Sequence, residues 1–290
     1  MGKPKRPVYD NIFEYMCENY EFQSPNTPIT QFYKKDIYEN QYKYLTGPVN
    51  PEKTKFQGLQ KAAELITEFA KSISADLVGF TKVYEHFVFD GTNLEHDYAI
   101  VLAVEMDYEL INTAPEAPSG IEVLRGYWRL GGIACKVAEF VRELGYSATA
   151  HHPRSFVGAP PTILHTVAAI EAGLGEQGRH GLLITPEFGP RVRVATVTTE
   201  LPIPQNEKKY FGVDLFCQTC QLCAEVCEGE AIPSKKENSN GFLKFTIDPY
   251  KCLPYFAKYD GCNLCVSKCA FNKQPEELKS FIKNLKKNRN

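Results

Sequence analysis

This chain of 290 residues contains no run of about 18 apolar residues, so nothing in it is built to cross a bilayer as a helix. Neither sign of charge dominates. The 33 Lys and Arg against 35 Asp and Glu leave a formal charge of −2, which argues against nucleic acid or an anionic membrane as a partner. The opening "MGKPKRPVYDNIFEYM" has basic residues with no apolar stretch behind them, unlike a secretory signal. It shows no twin arginine, and Arg6 stands where a myristoylation site has Ser or Thr. Lys3, Lys5 and Arg6 are expected on a solvated end, and the protein is expected in the cytoplasm with no membrane anchor. No G-x-G-x-x-G follows a strand pattern and there is no P-loop, so no dinucleotide or triphosphate cradle is read here.

Cysteine, by contrast, is plentiful and crowded. Of ten cysteines, eight lie between 217 and 269. Cys217, Cys220, Cys223 and Cys227 are spaced C-x2-C-x2-C-x3-C; Cys252, Cys262, Cys265 and Cys269 are spaced C-x9-C-x2-C-x3-C. Disulfides are rare in the cytoplasm, and zinc usually takes paired C-x2-C knuckles. Three cysteines at x2-x2 spacing suit three irons of one cubane wrapped by one tight loop. The runs are therefore read as ligands of two [4Fe–4S] clusters. In two-cluster ferredoxins the fourth cysteine of each run ligates the other cluster. That rule assigns Cys217, Cys220, Cys223 and Cys269 to one cluster and Cys227, Cys252, Cys262 and Cys265 to the other. The second run is stretched by "LPYFAKYDG", and Glu228 and Ala270 stand where a ferredoxin has proline. Cys135 sits inside a helical pattern and is expected to be core packing. Cys17 carries no functional reading.

The pattern along the chain predicts an α+β fold. Residues 1–55 read as an N-terminal arm packed on the body, 56–205 as the core, 206–274 as the cysteine module and 275–290 as a basic helix and tail with a solvated face. "FQGLQKAAELITEFAKSIS" has a helical period. "ADLVGFTKVY", the almost wholly apolar "YAIVLAVEM", "SATAHHP" and "RVRVATVTTEL" read as strands. "SGIEVLRGYWRLGGIACKVAEFVRELGY" predicts a long helix with Ser119 as N-cap and Gly145 as its stop. Its stripe of Ile121, Leu124, Ile133, Val137, Phe140, Val141 and Leu144 is expected to be packed. "PPTILHTVAAIEAGL" predicts a helix opened by prolines. On the long helix Tyr127 shares a face with Gly120, Gly131, Ala134 and Ala138. Small residues there allow close approach of a flat cofactor or of another helix. Glycines at 173, 175, 178, 181 and 189 mark a stretch where backbone approaches a ligand, with Arg and His for polar groups.

"GRHGLLITPEFGPRVRVATVTTELP", followed by "FCQTCQLCAEVC", resembles the corrinoid-dependent reductive dehalogenases, with epoxyqueuosine reductase as a more distant relative. The resemblance runs from about Gly58 to Lys273 and is most specific from 171 onward. It implies a nitroreductase-like corrinoid-binding core with a C-terminal two-cluster ferredoxin-like module, and cobalamin bound base-off. It implies corrinoid contacts from Arg179, His180, Gly181, Leu183, Ile184, Thr185 and Phe188. A family tyrosine about 18 residues before a Gly-Tyr pair falls on Tyr127, since Gly145-Tyr146 is that pair. An arginine in the Gly-Pro-x-x-Arg stretch falls on Arg193. A further polar position of the family, asparagine in some members, aligns near Pro160; His151, His152, Arg154 and Ser155 are the candidates to replace it.

The resemblance thus implies a cytoplasmic oxidoreductase that removes halogen from a small organohalide through Co(I) cobalamin, with Tyr127 as proton donor and Arg193 beside it. A cation next to a phenol stabilises its phenolate. Electrons would come from an external ferredoxin, flavodoxin or reductase. Three alternatives stay open. One keeps the cofactors and reduces a non-halogenated substrate, as in epoxyqueuosine reductase. A second loses the corrinoid site and uses the clusters to pass electrons to a partner protein, and a third is a corrinoid reductase that reactivates a methyltransferase. No acidic residue lies between Gly145 and Ile170, and no helical repeats follow the cysteines, which weighs against the tRNA enzyme. There is also no Asp-x-His-x-x-Gly to supply a histidine to cobalt.

Overall fold

A computed structural model of the chain describes residues 27–89, 91–154, 161–239, 242–259 and 261–287. Cys17, Ser155 and Pro160 lie outside the described residues. The strands in chain order are β1 (Leu77–Lys82), β2 (Tyr98–Glu105), β3 (Ala148–His151), β4 (Glu176–Gln177), β5 (Leu183–Ile184), β6 (Val192–Thr199), β7 (Glu237–Ser239) and β8 (Phe242–Lys244). Four of them make the main sheet, in the order β1-β2-β6-β3, with every neighbouring pair antiparallel.

The apolar run of β2 is explained by its place in the middle of the sheet, covered on both faces. Successive side chains of a strand point to opposite faces. Ile100, Leu102 and Val104 enter one core, with Ala195 and Val197 of β6 and the helices Leu59–Ser72 and Ala117–Glu143. Val101 and Ala103 enter a second core, with Ala168 and Ala169 of the helix His165–Glu171. A strand buried on both faces has no polar positions to spare.

The long helix starts at Ala117, with Pro118 in its first turn, a place that proline tolerates well. Ser119 is thus inside the helix rather than its cap. It is buried, and its Oγ lies 3.0 Å from Nδ2 of Asn263, so the second cysteine run docks where the sequence predicts a cap. Gly145 does end the helix. Its φ is +87°, and the Gly145 and Tyr146 N–H groups return to the carbonyls of Arg142 and Val141, a left-handed stop that glycine adopts without strain. The helix predicted from the double proline begins only at His165; Pro161 and Thr162 precede it in extended chain.

Where it is described, the N-terminal segment packs against the long helix. Tyr33 and Ile37 bury against Leu124, and Trp128 Nε1 donates to Asp36 Oδ2 at 2.8 Å. The C-terminal helix Pro275–Lys287 departs from the solvated reading. Leu278 and Ile282 are buried in a third core with Phe211, Phe271 and Cys217, because residues four apart share one helix face. Among the described residues no helix is long and apolar enough to cross a membrane.

Candidate functional site

Tyr127 and Arg193 come together. The Arg193 guanidinium carbon lies 4.9 Å from the centre of the Tyr127 ring. Arg193 belongs to β6, opposite Val104 of β2, and the long helix crosses that strand with Gly126 against the arginine stem. A Cβ at 126 would meet Arg193 Cγ at 3.0 Å. Arg193 Nε is buried and has no hydrogen-bond partner among the described residues. Tyr127 stays half-buried, packed against an apolar cluster of Met106, Ile111, Val123 and Val266 that Cys265 also touches.

The small face of the long helix is filled by protein. At Gly131 a Cβ would fall 2.0 Å from His152 Nε2 and 2.4 Å from Gln41 Oε1. Ala134 and Ala138 belong to the main core, and Gly120 lies under Gly261. Close packing of chain segments, not open space for a flat ligand, accounts for these small residues.

A cavity of about 330 Å³ opens beside β3, lined by Tyr42, His96, His151, His152, Arg154 and Thr198 among others. His151 bonds Thr162 Oγ1 at 2.7 Å and Thr198 Oγ1 at 2.9 Å. Thr198 Oγ1 also lies 3.0 Å from His96 Nδ1, whose other nitrogen is 3.0 Å from Ser147 Oγ. Burial lowers His151 to about 3 and His152 and His165 to about 4, so all three are neutral imidazoles. Of the four candidates for the family's polar position, His151, His152 and Arg154 line this cavity. The chain of hydroxyls and imidazoles carries no sequence signal, because it forms across strand neighbours.

The segment expected at a corrinoid clamps the cysteine module. Arg179, fully buried, donates to the carbonyls of Cys217, Gln218, Cys220, Pro233 and Ser234 and stacks on Phe245 at 4.4 Å. Glu176 accepts the N–H groups of Phe211, Gly212 and Val213 at 2.6–3.2 Å, at the start of the helix that carries Cys217. Leu183 joins the second core and Ile184 the third. Gly181 turns at φ +77°. Thr185 Oγ1 accepts the Phe188 N–H at 3.0 Å within its turn, and Phe188 packs on the second core. His180 is buried, with Nε2 unpartnered among the described residues.

The eight cysteines sort into two quartets that cross between the runs. Cys269 has Cys217, Cys223 and Cys220 around it, and the same four line one small cavity. Cys265 has Cys252, Cys262 and Cys227 around it, and also Cys223. Cys223 of one quartet is thus near Cys265 of the other. Among the described residues no three His, Cys, Asp or Glu side chains converge as on a single ion. Burial pushes the thiols of Cys252 and Cys223 up to about 11 and about 12, with neighbouring cysteines adding to it, and raises Cys265 and Cys269 as well. Four thiols gathered in each quartet are a donor set that fits a cluster, and iron charge would hold them as thiolates. Cys135 lies apart in the main core, its thiol donating to the Gln41 carbonyl.

No family model matches the chain. It is 37% identical over 188 residues to a tetrachloroethene reductive dehalogenase of Desulfitobacterium hafniense, an alignment covering 60% of this chain and 33% of that one. The chain is related to the reductive dehalogenases. The solved structure of the catabolic reductive dehalogenase NpRdhA superposes with a TM-score of 0.86, covering 98% of this chain and 44% of that one at 24% identity, and shows a shared fold. Epoxyqueuosine reductase of Cyclobacterium marinum is 26% identical over 160 residues, covering 51% of this chain and 49% of that one. The chain spans about a third of the length of the dehalogenases it matches in sequence.

The mixed sheet and helices match the fold of the solved dehalogenases, and a Gly-Pro-Arg-Val-Arg turn leads into β6. Sequence patterns alone pass over Arg191, the first arginine of that turn. It is fully buried and ties Glu105 Oε1 at 2.8 Å to the Lys273 carbonyl at 3.0 Å, joining the sheet to the end of the cysteine module. Arg191 stands one residue before β6, and its place in the Gly-Pro-x-x-Arg stretch beside Arg193 is the signal that could find it.

Proposed function

We propose that this chain is a reductive dehalogenase-type enzyme that removes halogen from a small organohalide. The observation that carries this reading is the crossed pair of cysteine quartets packed beside the Tyr127–Arg193 pair. Each quartet would hold one [4Fe–4S] cluster: Cys217, Cys220, Cys223 and Cys269 the first, Cys227, Cys252, Cys262 and Cys265 the second. Arg193 supports a ligand at the phenol, because its buried Nε asks for an acceptor that the described residues do not provide. The amide arms of a base-off cobalamin are such acceptors. When bound, cobalamin would supply low-valent cobalt able to reduce a carbon–halogen bond.

The chain's own residues then have defined roles. Cys223 of one quartet is among the neighbours of Cys265 of the other, which supports a short path for electrons from an external ferredoxin, flavodoxin or reductase. Cys265 and Tyr127 pack on one apolar cluster, which brings that path to the acid. Tyr127 holds the proton that the carbon needs once halide departs. Arg193, stacked on the ring, stabilises the phenolate left behind. We place the reaction in the cytoplasm.

Anaerobic expression with iron, sulfide and hydroxocobalamin tests the reading. Roughly eight irons and eight acid-labile sulfides per chain are expected, with corrinoid bands in the visible spectrum. Halide release should appear with a panel of chloroethenes, halophenols and 3-bromo-4-hydroxybenzoate, the last of which is bound in one solved dehalogenase structure. One zinc with no sulfide sinks the cluster assignment. Full cofactors with no halide release from any member point to a non-halogenated substrate.

A further inference from the structure

We propose that His180 donates an N–H···S hydrogen bond from Nε2 to the cluster held by Cys217, Cys220, Cys223 and Cys269, and thereby raises that cluster's reduction potential. The inference rests on the reading that these four thiols hold a cluster. The His180 side chain is only 1% exposed. Its Nδ1 accepts the Leu182 backbone N–H at 3.2 Å. A nitrogen that accepts carries no proton, so the neutral ring has its N–H on Nε2. That donor has no partner among the described residues. Buried donors are rarely left so.

The surroundings leave sulfur as the acceptor. His180 lines one small cavity with the four thiols. Of the other residues there, Phe216, Leu222, Ala270 and Phe271 bring apolar side chains, and Arg179 is a donor only. No carbonyl among the described residues is a hydrogen-bond partner of Nε2. Gly178 lies against the ring, where a Cβ would fall 2.8 Å from His180 Cε1 and 3.1 Å from Nε2. Hydrogen bonds to cluster sulfur stabilise the added electron and move the potential up. His180 is thus a positioning and tuning residue for electron entry.

Redox titration of reconstituted protein, followed by electron paramagnetic resonance, reads this directly. His180→Leu should lower the midpoint of one cluster and leave the other unchanged. The expected change is on the order of tenfold in the reduced-to-oxidised ratio, about 59 mV for one electron. His180→Gln keeps an amide donor and should recover most of the shift. Wild-type protein labelled with 15N-histidine gives an answer that needs no variant: pulsed measurements on the reduced cluster should show a histidine nitrogen coupling. Unchanged midpoints in a His180→Leu protein with full iron and sulfide overturn the proposal and leave the cluster reading standing, as does the absence of that coupling. Wild-type protein that takes up no iron and sulfide overturns both.

Discussion

Arg193 stacks over Tyr127 with its guanidinium carbon 4.9 Å from the ring centre, although the two residues come from a strand and a helix far apart in the chain. The contact depends on Gly126, whose missing side chain lets the helix settle on the arginine stem. A phenol so placed has a fixed cation on its face and one side half-open, which is the arrangement a proton donor needs.

Tyr127→Phe should retain both clusters and still bind corrinoid, because neither uses the phenol proton. Halide release should fall by roughly the 10²–10⁴-fold of a lost general acid. Arg193→Lys keeps the charge but loses the flat fork that stacks, and should also slow turnover. Near-wild-type rates in Tyr127→Phe on any accepted substrate would refute the role.

Arg179→Leu should release the loop that carries Cys217 and Cys220, since the guanidinium donates to carbonyls at 217, 218 and 220. The expected result is loss of one cluster, with iron falling from roughly eight to roughly four per chain. Iron and sulfide analysis checks this; a full complement in the variant would show that the clamp is dispensable.

Stability should fall with acid. His151, His152 and His165 have folded values of about 3, about 4 and about 4, lowered by burial. The unfolded chain protonates them near 6.5, so below that pH it binds more protons than the folded chain. Their contribution is complete above about pH 6.5 and is lost as pH falls toward the folded values. Each removes up to about 1.4 kcal/mol per pH unit in that window. Denaturant unfolding at pH 7.5 and 5.5 measures the slope, and His151→Gln should flatten it; an unchanged slope in that variant would exclude His151 as a contributor.

Arg191→Leu should loosen the cysteine module from the sheet. Arg191 is fully buried against Glu105, whose side chain is 34% exposed. A fully buried pair broken on one side costs about 3–5 kcal/mol; with this exposure the loss should be about 2–3 kcal/mol. Burial pushes the Glu105 carboxyl up and Arg191 pulls it back, so the variant should also take up a proton at higher pH. A denaturation midpoint equal to wild type would show that Lys273 and Glu105 find other partners.

The sequence by itself determined what depends on near neighbours in the chain. The alternation and apolar runs of β1, β2, β3 and β6, the period of the helices Leu59–Ser72 and Ala117–Glu143, and the glycine stop at 145 follow from local geometry. So does the clustering of cysteines, because the spacing of ligands on one loop is a local property. Alignment of motifs named Tyr127 and Arg193, and the fold laid one against the other. Only tertiary structure decided what each side chain faces. The small face of the long helix receives Gln41, His152 and the Gly261 loop. Ser119 serves Asn263 rather than its own helix end, and Leu278 and Ile282 of a basic helix turn inward. Arg179 and Glu176 hold the cysteine loop from a hairpin about 40 residues earlier, a partnership that spacing does not encode. The reason is physical: period and turn chemistry act over a few residues, whereas a buried donor or carboxylate takes whichever partner the packed chain brings to it.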